Sequence, residues 1–160
     1  NVPTTLLRFF NVFGPRQRPD HEYAAVLPKW IWLAMQGKPI DVYGDGTASR
    51  DFTYVETVLD IAMTAMKEKV LTEGAMNLAY GNRIFLNDTI EMLKKHFPDL
   101  QVNYRENRLG DVKESQNAPG LLKSLFPSIA PKPFEEALTE TVVWLKDFGQ
   151  SVANGPKTVD

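Results

Sequence analysis

A chain of 160 residues, 43% of them hydrophobic and including 9 Phe, 5 Tyr and 3 Trp, holds enough apolar surface for one sizeable core and too much for disorder. Its formal net charge of −2 provides no basic field for nucleic acid, and the lack of cysteine excludes disulfides, thiolate nucleophiles and cysteine-held metals, as fits a cytoplasmic protein. His21 and His96 have no second imidazole at metal-ligand spacing, and no apolar run is long enough to span a bilayer.

Residues 6–13, Leu-Leu-Arg-Phe-Phe-Asn-Val-Phe, are almost continuously apolar and predict a strand buried on both faces, as in parallel sheets. Such a strand needs neighbours, and little chain precedes it. Together with a start at Asn1 instead of methionine, this leads to the expectation of a chain cut from a longer fold. Asn11 is the polar residue in that run, either an amide satisfied by nearby backbone or a ligand contact at a strand's carboxyl end. Leu27, Trp30, Ile31 and Ala34 then fall at helical spacing, with Pro28 tolerated in the first turn and Gly37 closing the segment. Trp30 and Trp32, two apart, must point to different sides of that helix.

The stretch 40–55, Ile-Asp-Val-Tyr-Gly-Asp-Gly-Thr-Ala-Ser-Arg-Asp-Phe-Thr-Tyr-Val, organises the rest. Ile40 and Val42 alternate with Asp41 as in a half-buried strand, and Gly44-Asp45-Gly46 permits a sharp turn through positive φ. Arg50 follows, before a helical pattern that starts at Val55. A strand, a tight turn and an arginine suit a phosphorylated ligand, because guanidinium offers a fork of donors to phosphate oxygens. On spacing alone, a hairpin with a surface arginine is the commoner outcome.

Val55, Val58, Leu59, Ala62, Met63 and Met66 predict an amphipathic helix, with both methionines as core filler. Residues 75–79 predict a short buried strand ended by Gly81-Asn82. Leu86, Ile90, Leu93 and Phe97 mark another helix, with Asn87 and Asp88 placed to cap its start and Lys94, Lys95 and His96 suited to its C-terminal dipole. A strand at 102–104 leads to Arg108 and Asp111, which read either as a cation and a carboxylate for a nucleotide or as an exposed ion pair. A short helix follows Pro119, and Phe134, Leu138, Val142, Leu145 and Phe148 predict the last one. The expected division is one lobe at 1–148 and a flexible tail at 149–160.

Four segments carry a resemblance: Asn11-Val12-Phe13-Gly14-Pro15-Arg16, Ala24-Ala25-Val26-Leu27-Pro28-Lys29-Trp30, Gly44-Asp45-Gly46 with Arg50-Asp51-Phe52, and Arg108-Leu109-Gly110-Asp111-Val112. In that order they resemble the C-terminal half of an NAD-dependent sugar-nucleotide epimerase of the extended short-chain dehydrogenase/reductase family, nearest the UDP-N-acetylglucosamine and UDP-glucose 4-epimerases. The resemblance implies an α/β fold: late strands of a Rossmann-type sheet with a small mixed substrate-binding lobe, the N-terminal NAD-binding half being absent. It implies that Asn11, Val26, Lys29, Trp30, Asp41, Val42, Tyr43, Arg50, Arg108, Asp111 and Ser115 bind the UDP-sugar, with both arginines on the diphosphate. Ser115, four after Asp111, stands where a small residue leaves room for an N-acetyl group, although Lys113-Glu114 departs from the Arg-His common in close relatives.

Two family motifs are missing. No Gly-x-x-Gly-x-x-Gly turn is present to hold the NAD pyrophosphate. No Tyr-x-x-x-Lys pair exists either: four residues after Tyr23, Tyr43, Tyr54, Tyr80 and Tyr104 come Leu27, Thr47, Val58, Ile84 and Arg108. The expectation is therefore a UDP-sugar-binding portion without catalytic residues, whose NAD-using parent is a homodimer acting on UDP-N-acetylglucosamine/UDP-N-acetylgalactosamine or UDP-glucose/UDP-galactose. A nucleotide-sugar 4,6-dehydratase, a UDP-glucuronate decarboxylase and a non-catalytic nucleotide-binding module are the alternatives.

Overall fold

A computed structural model describes residues 2–20, 24–108, 110 and 113–153. The strands are β1 (Leu6–Phe9), β2 (Asn11–Phe13), β3 (Ile40–Tyr43), β4 (Ser49–Arg50), β5 (Phe52–Tyr54), β6 (Ala75–Leu78), β7 (Ile84–Phe85) and β8 (Val102–Arg105). The helices are α1 (Val26–Met35), α2 (Val55–Glu68), α3 (Leu86–His96), α4 (Gly120–Leu125) and α5 (Phe134–Ala153). β1 pairs with β6, β2 with β5 and β3 with β8, all parallel, whereas β4 and β7 are antiparallel. Parallel partners need long crossovers, and helices supply them here.

The apolar run 6–13 is not one strand. It breaks at Phe10, where the Val12 amide donates to the Phe10 carbonyl at 2.8 Å, and its halves take different partners. Nor is it buried on both faces as expected: Leu6 is 51% and Phe9 58% exposed. A parallel strand is covered only when neighbours and layers lie on every side, and among the described residues β1 has β6 alone.

Two cores result. In the larger, Leu27, Trp30 and Ile31 of α1, Ile90 and Leu93 of α3, and Leu138, Val142 and Leu145 of α5 close over Phe13, Ile40, Val42 and Phe52. Phe134 stacks on Phe52 at 5.3 Å between ring centroids, and Phe13 meets both rings at 5.4 and 5.8 Å. Such aromatic pairs add to plain area burial. The smaller core joins Val58, Ile61 and Ala65 of α2 to Met76 and Leu78 of β6 and to Leu122 and Phe126.

The apolar face of α2 is rotated from the expected one. Thr57, Val58, Ile61 and Ala65 face inward, whereas Leu59, Met63 and Met66 are exposed, so these methionines are not core filler. The i, i+3, i+4 rows through Val58 and Ile61 win because they alone lie against β6 and α4. In α3 the basic last turn stands as predicted, but Asn87 is no cap: it donates from Nδ2 to the Asp45 carbonyl at 3.1 Å. α5 continues through Gly149 to Ala153, so the boundary expected at 148 falls inside a helix. Gly149 packs closely on Trp32 and Met35, a contact that favours continuing the helix there. The remainder of the expected tail, 154–160, lies outside the described residues.

Candidate functional site

Chain direction brings β3, the turn after it and the segment after β8 to one end of the fold, and a cleft of about 530 Å³ opens there. Its location outside the carboxyl ends of parallel strands is where open α/β sheets bind ligands. Val26 and Trp30 of α1, Asp41 and Tyr43 of β3, and Leu86 at the start of α3 line one part. The indole Nε1 donates to the Asp41 carbonyl at 3.1 Å, which fixes the buried Trp30 ring against β3. Trp32, on the other side of α1, packs near Gly149 instead.

The turn follows from its glycines. Gly44 and Gly46 have φ of 84° and 76°, a region L side chains rarely adopt. A Cβ on Gly46 would also strike the Asn87 side chain. Asp45 Oδ1 accepts from the Thr47 amide at 2.9 Å and from the Thr47 hydroxyl at 2.5 Å, and these bonds, aided by Lys113, hold its carboxyl below the usual range. The chain then enters β4, which pairs with β7 and not with β3, so no hairpin forms across this turn.

Three cations line the cleft: Arg50 from β4, and Arg108 and Lys113 from the segment after β8. The Arg108 guanidinium lies 3.6 Å from the Tyr43 ring centroid, a cation–π stack that positions it over β3. Arg50 Nη1 donates to the Ser49 carbonyl at 2.9 Å. Asp41 is engaged by Arg105, whose Nε lies 3.0 Å from Oδ1. Among the described residues no His, Asp or Glu group is placed to hold a metal, and no helix is long and apolar enough to cross a membrane.

Of the residues singled out in the sequence, Val26, Trp30, Asp41, Tyr43, Arg50 and Arg108 meet at this cleft. Asn11, Lys29, Val42 and Ser115 are not among its lining residues. Asn11 Nδ2 reaches the Asp51 carbonyl at 3.5 Å, Lys29 is exposed on α1, and the Val42 side chain is buried in the core. Ser115 pairs through its amide with the Ser49 carbonyl at 3.2 Å. Asp111 lies outside the described residues. Thr47, Ala48, Leu86, Asn107 and Lys113 line the cleft without having been expected. None of the five was singled out in the sequence; Lys113 entered only with Glu114 as a departure from the Arg-His common in close relatives.

Residues 1–79 match the model of the NAD dependent epimerase/dehydratase family. UDP-N-acetyl-alpha-D-glucosaminuronate decarboxylase of Bacillus cytotoxicus is 46% identical over 161 residues, spanning 92% of this chain and 47% of that protein. The chain belongs to the NAD dependent epimerase/dehydratase family. Two solved members superpose on it closely. UDP-N-acetylglucosamine 4-epimerase from Methanobrevibacter ruminantium, in complex with UDP-N-acetylmuramic acid, is 35% identical with a TM-score of 0.83 over 92% of this chain and 47% of that one. UDP-glucuronic acid 4-epimerase from Bacillus cereus, in complex with UDP-glucuronic acid and NAD, is 26% identical with a TM-score of 0.80 over 92% and 46%.

The chain thus spans about half the length of the family members it matches, and its α/β architecture is part of their Rossmann-type extended short-chain dehydrogenase/reductase fold. The family's cofactor is NAD.

Proposed function

We propose that this chain is the UDP-sugar-binding portion of an NAD-dependent UDP-hexose(-N-acetyl) 4-epimerase. The observation that carries this reading is the meeting of Arg50 and Arg108, 58 positions apart in the sequence, in one cleft beside Trp30 and Tyr43. Two guanidinium groups neutralise a diphosphate and bond its oxygens in pairs. Val26, Trp30 and Tyr43 offer the apolar and aromatic surface a pyrimidine needs. Asn11, Lys29, Asp111 and Ser115, and Val42 through its backbone alone, complete the proposed contacts, Ser115 by leaving space for an N-acetyl group. The lobe that α5 closes, with that helix running on to Ala153, would orient the nucleotide, while proton and hydride transfer would require groups beyond this chain.

Calorimetric titration of UDP and UDP-N-acetylglucosamine into the chain tests this, beside an Arg50→Ala/Arg108→Ala double variant. Charge-assisted hydrogen bonds contribute about 1.5–3 kcal/mol each, so the variant is expected to bind UDP at least about 100-fold more weakly. Equal binding by the variant, or no binding by a folded wild-type chain, would overturn the reading.

A second reading is favoured by the 46% identity to a UDP-N-acetylglucosaminuronate decarboxylase. Offering UDP-N-acetylglucosamine and its uronate to the full-length protein that carries this chain separates the two. An inverted C4 supports the epimerase, and release of carbon dioxide from the uronate supports the decarboxylase.

A further inference from the structure

Next to Arg50 stands Asp51, a fully buried carboxyl group. Successive residues of an extended chain point to opposite sides, so the Arg50 side chain reaches the cleft while that of Asp51 turns into the protein. There Oδ1 accepts from the Asn82 amide at 3.0 Å, and Oδ2 accepts from the Gly81 amide at 2.9 Å and the Asn117 amide at 3.0 Å. A single side chain thus ties two other segments to its own.

The segments it ties are those that flank β4. On one side β7, which follows Gly81 and Asn82, pairs with β4 through Arg50 opposite Ile84 and Ser49 opposite Phe85. On the other side 113–117 runs alongside: the Ser49 amide donates to the Lys113 carbonyl at 3.0 Å, and the Ser115 amide donates to the Ser49 carbonyl at 3.2 Å. Asn117 reinforces the junction, donating from Nδ2 to the Ala79 carbonyl at 2.8 Å and accepting from Asn77 Nδ2 at 3.1 Å. Gln116 Nε2 donates to the Gly81 carbonyl at 2.7 Å. Arg50 and Lys113, two of the cleft's three cations, ride on strips whose spacing these bonds set.

We infer that Asp51 is a positioning residue for the cleft's anion-binding wall, holding Arg50 and Lys113 at the separation a diphosphate requires. This inference rests on the UDP-sugar reading above. Asparagine at this position keeps the shape but replaces one acceptor by a donor facing an amide N–H. The wall then shifts while the aromatic part of the cleft, built on α1 and β3, stays in place.

The test is the ratio of uridine to UDP dissociation constants, measured by NMR titration for the wild-type chain, Asp51→Asn and Ile61→Ala. The last variant weakens the smaller core without touching the cleft. For Asp51→Asn the ratio is expected to fall about tenfold or more, the worth of a misaligned charge-assisted hydrogen bond, with uridine affinity nearly unchanged. Amide exchange at Gly81, Asn82 and Asn117 should quicken in the same variant. An unchanged ratio in Asp51→Asn, or an equal fall in Ile61→Ala, would overturn the inference. If Asp51→Asn does not fold, Asn117→Ala takes its place, because it keeps the backbone donor and removes only the side-chain braces; a ratio unchanged there overturns the inference equally. Failure of a folded wild-type chain to bind UDP would defeat the underlying reading, an outcome visible before any variant is compared.

Discussion

Arg108 combines two properties that lysine does not: a planar face that stacks on Tyr43 and a fork of donors left over for a ligand. Arg108→Lys keeps the charge and loses both. UDP affinity is therefore expected to drop about tenfold in Arg108→Lys, as when a charge-assisted bond is lost, and to change little in Tyr43→Phe, which retains the π face. Titration of both variants checks this, and a lysine variant that binds as tightly as wild type would refute the stacking argument. At this scale the sequence pointed to six of the residues that line the cleft. Arg50 and Arg108 were singled out by the family resemblance, since their local patterns alone equally allow surface arginines. Leu86 and Asn107 were not, because only the pairing of β3 with β8 and the docking of α3 bring them to the cleft. Asp51 was read merely as part of a motif, since nothing local reveals that its acceptors serve amides at 81, 82 and 117.

At the scale of elements, α5 is fastened to β5 and α2 by a polar cluster as well as by its apolar face. The Tyr54 hydroxyl donates to Glu140 Oε2 at 2.7 Å, and Lys132 Nζ bridges Glu140 at 2.7 Å and Glu56 at 3.0 Å. Hydrogen bonds from Lys132 and Tyr54 hold the Glu140 carboxyl below its usual range, while burial and Glu140 push the Tyr54 phenol up. A carboxyl depressed in the folded state contributes stability that is complete above its unfolded value and is lost as pH falls through its folded value. Thermal melts of the wild type should therefore decline as pH drops below about 4.5, and Glu140→Gln should flatten that decline. Identical slopes would remove Glu140 from the account. His96 adds a separate limb at higher pH. Burial and Lys146 lower its pKa, so its stabilisation is complete above about 6.5 and fades as pH falls from there toward its folded value. Helices α1 and α3 were legible from their stripes. The inward face of α2 was not, because its apolar residues span more than one face and only β6 and α4 decide which is covered.

At the scale of the whole molecule, apolar surface is distributed as in part of a larger sheet protein. Leu6 and Phe9 of β1 are exposed, as are Leu59, Met63 and Met66 of α2 and Leu71 after it. Between β1 and α2, Leu7, Ala62, Met66 and Leu71 line one groove. The sequence marked 6–13 as fit for burial on both faces. The structure supplies one sheet partner for β1 among the described residues, and the family members this chain resembles are about twice as long. A strand edge without a partner and several exposed large apolar side chains favour association. The isolated 160-residue chain is accordingly expected to self-associate with rising concentration in sedimentation velocity. A Phe9→Lys/Met66→Lys double variant should shift it toward monomer without lowering its melting temperature, because both side chains already face solvent. Wild-type chain that stays monomeric at every concentration would show that this face needs no cover. A melting temperature that falls in the double variant would show instead that Phe9 and Met66 support the fold from within the chain.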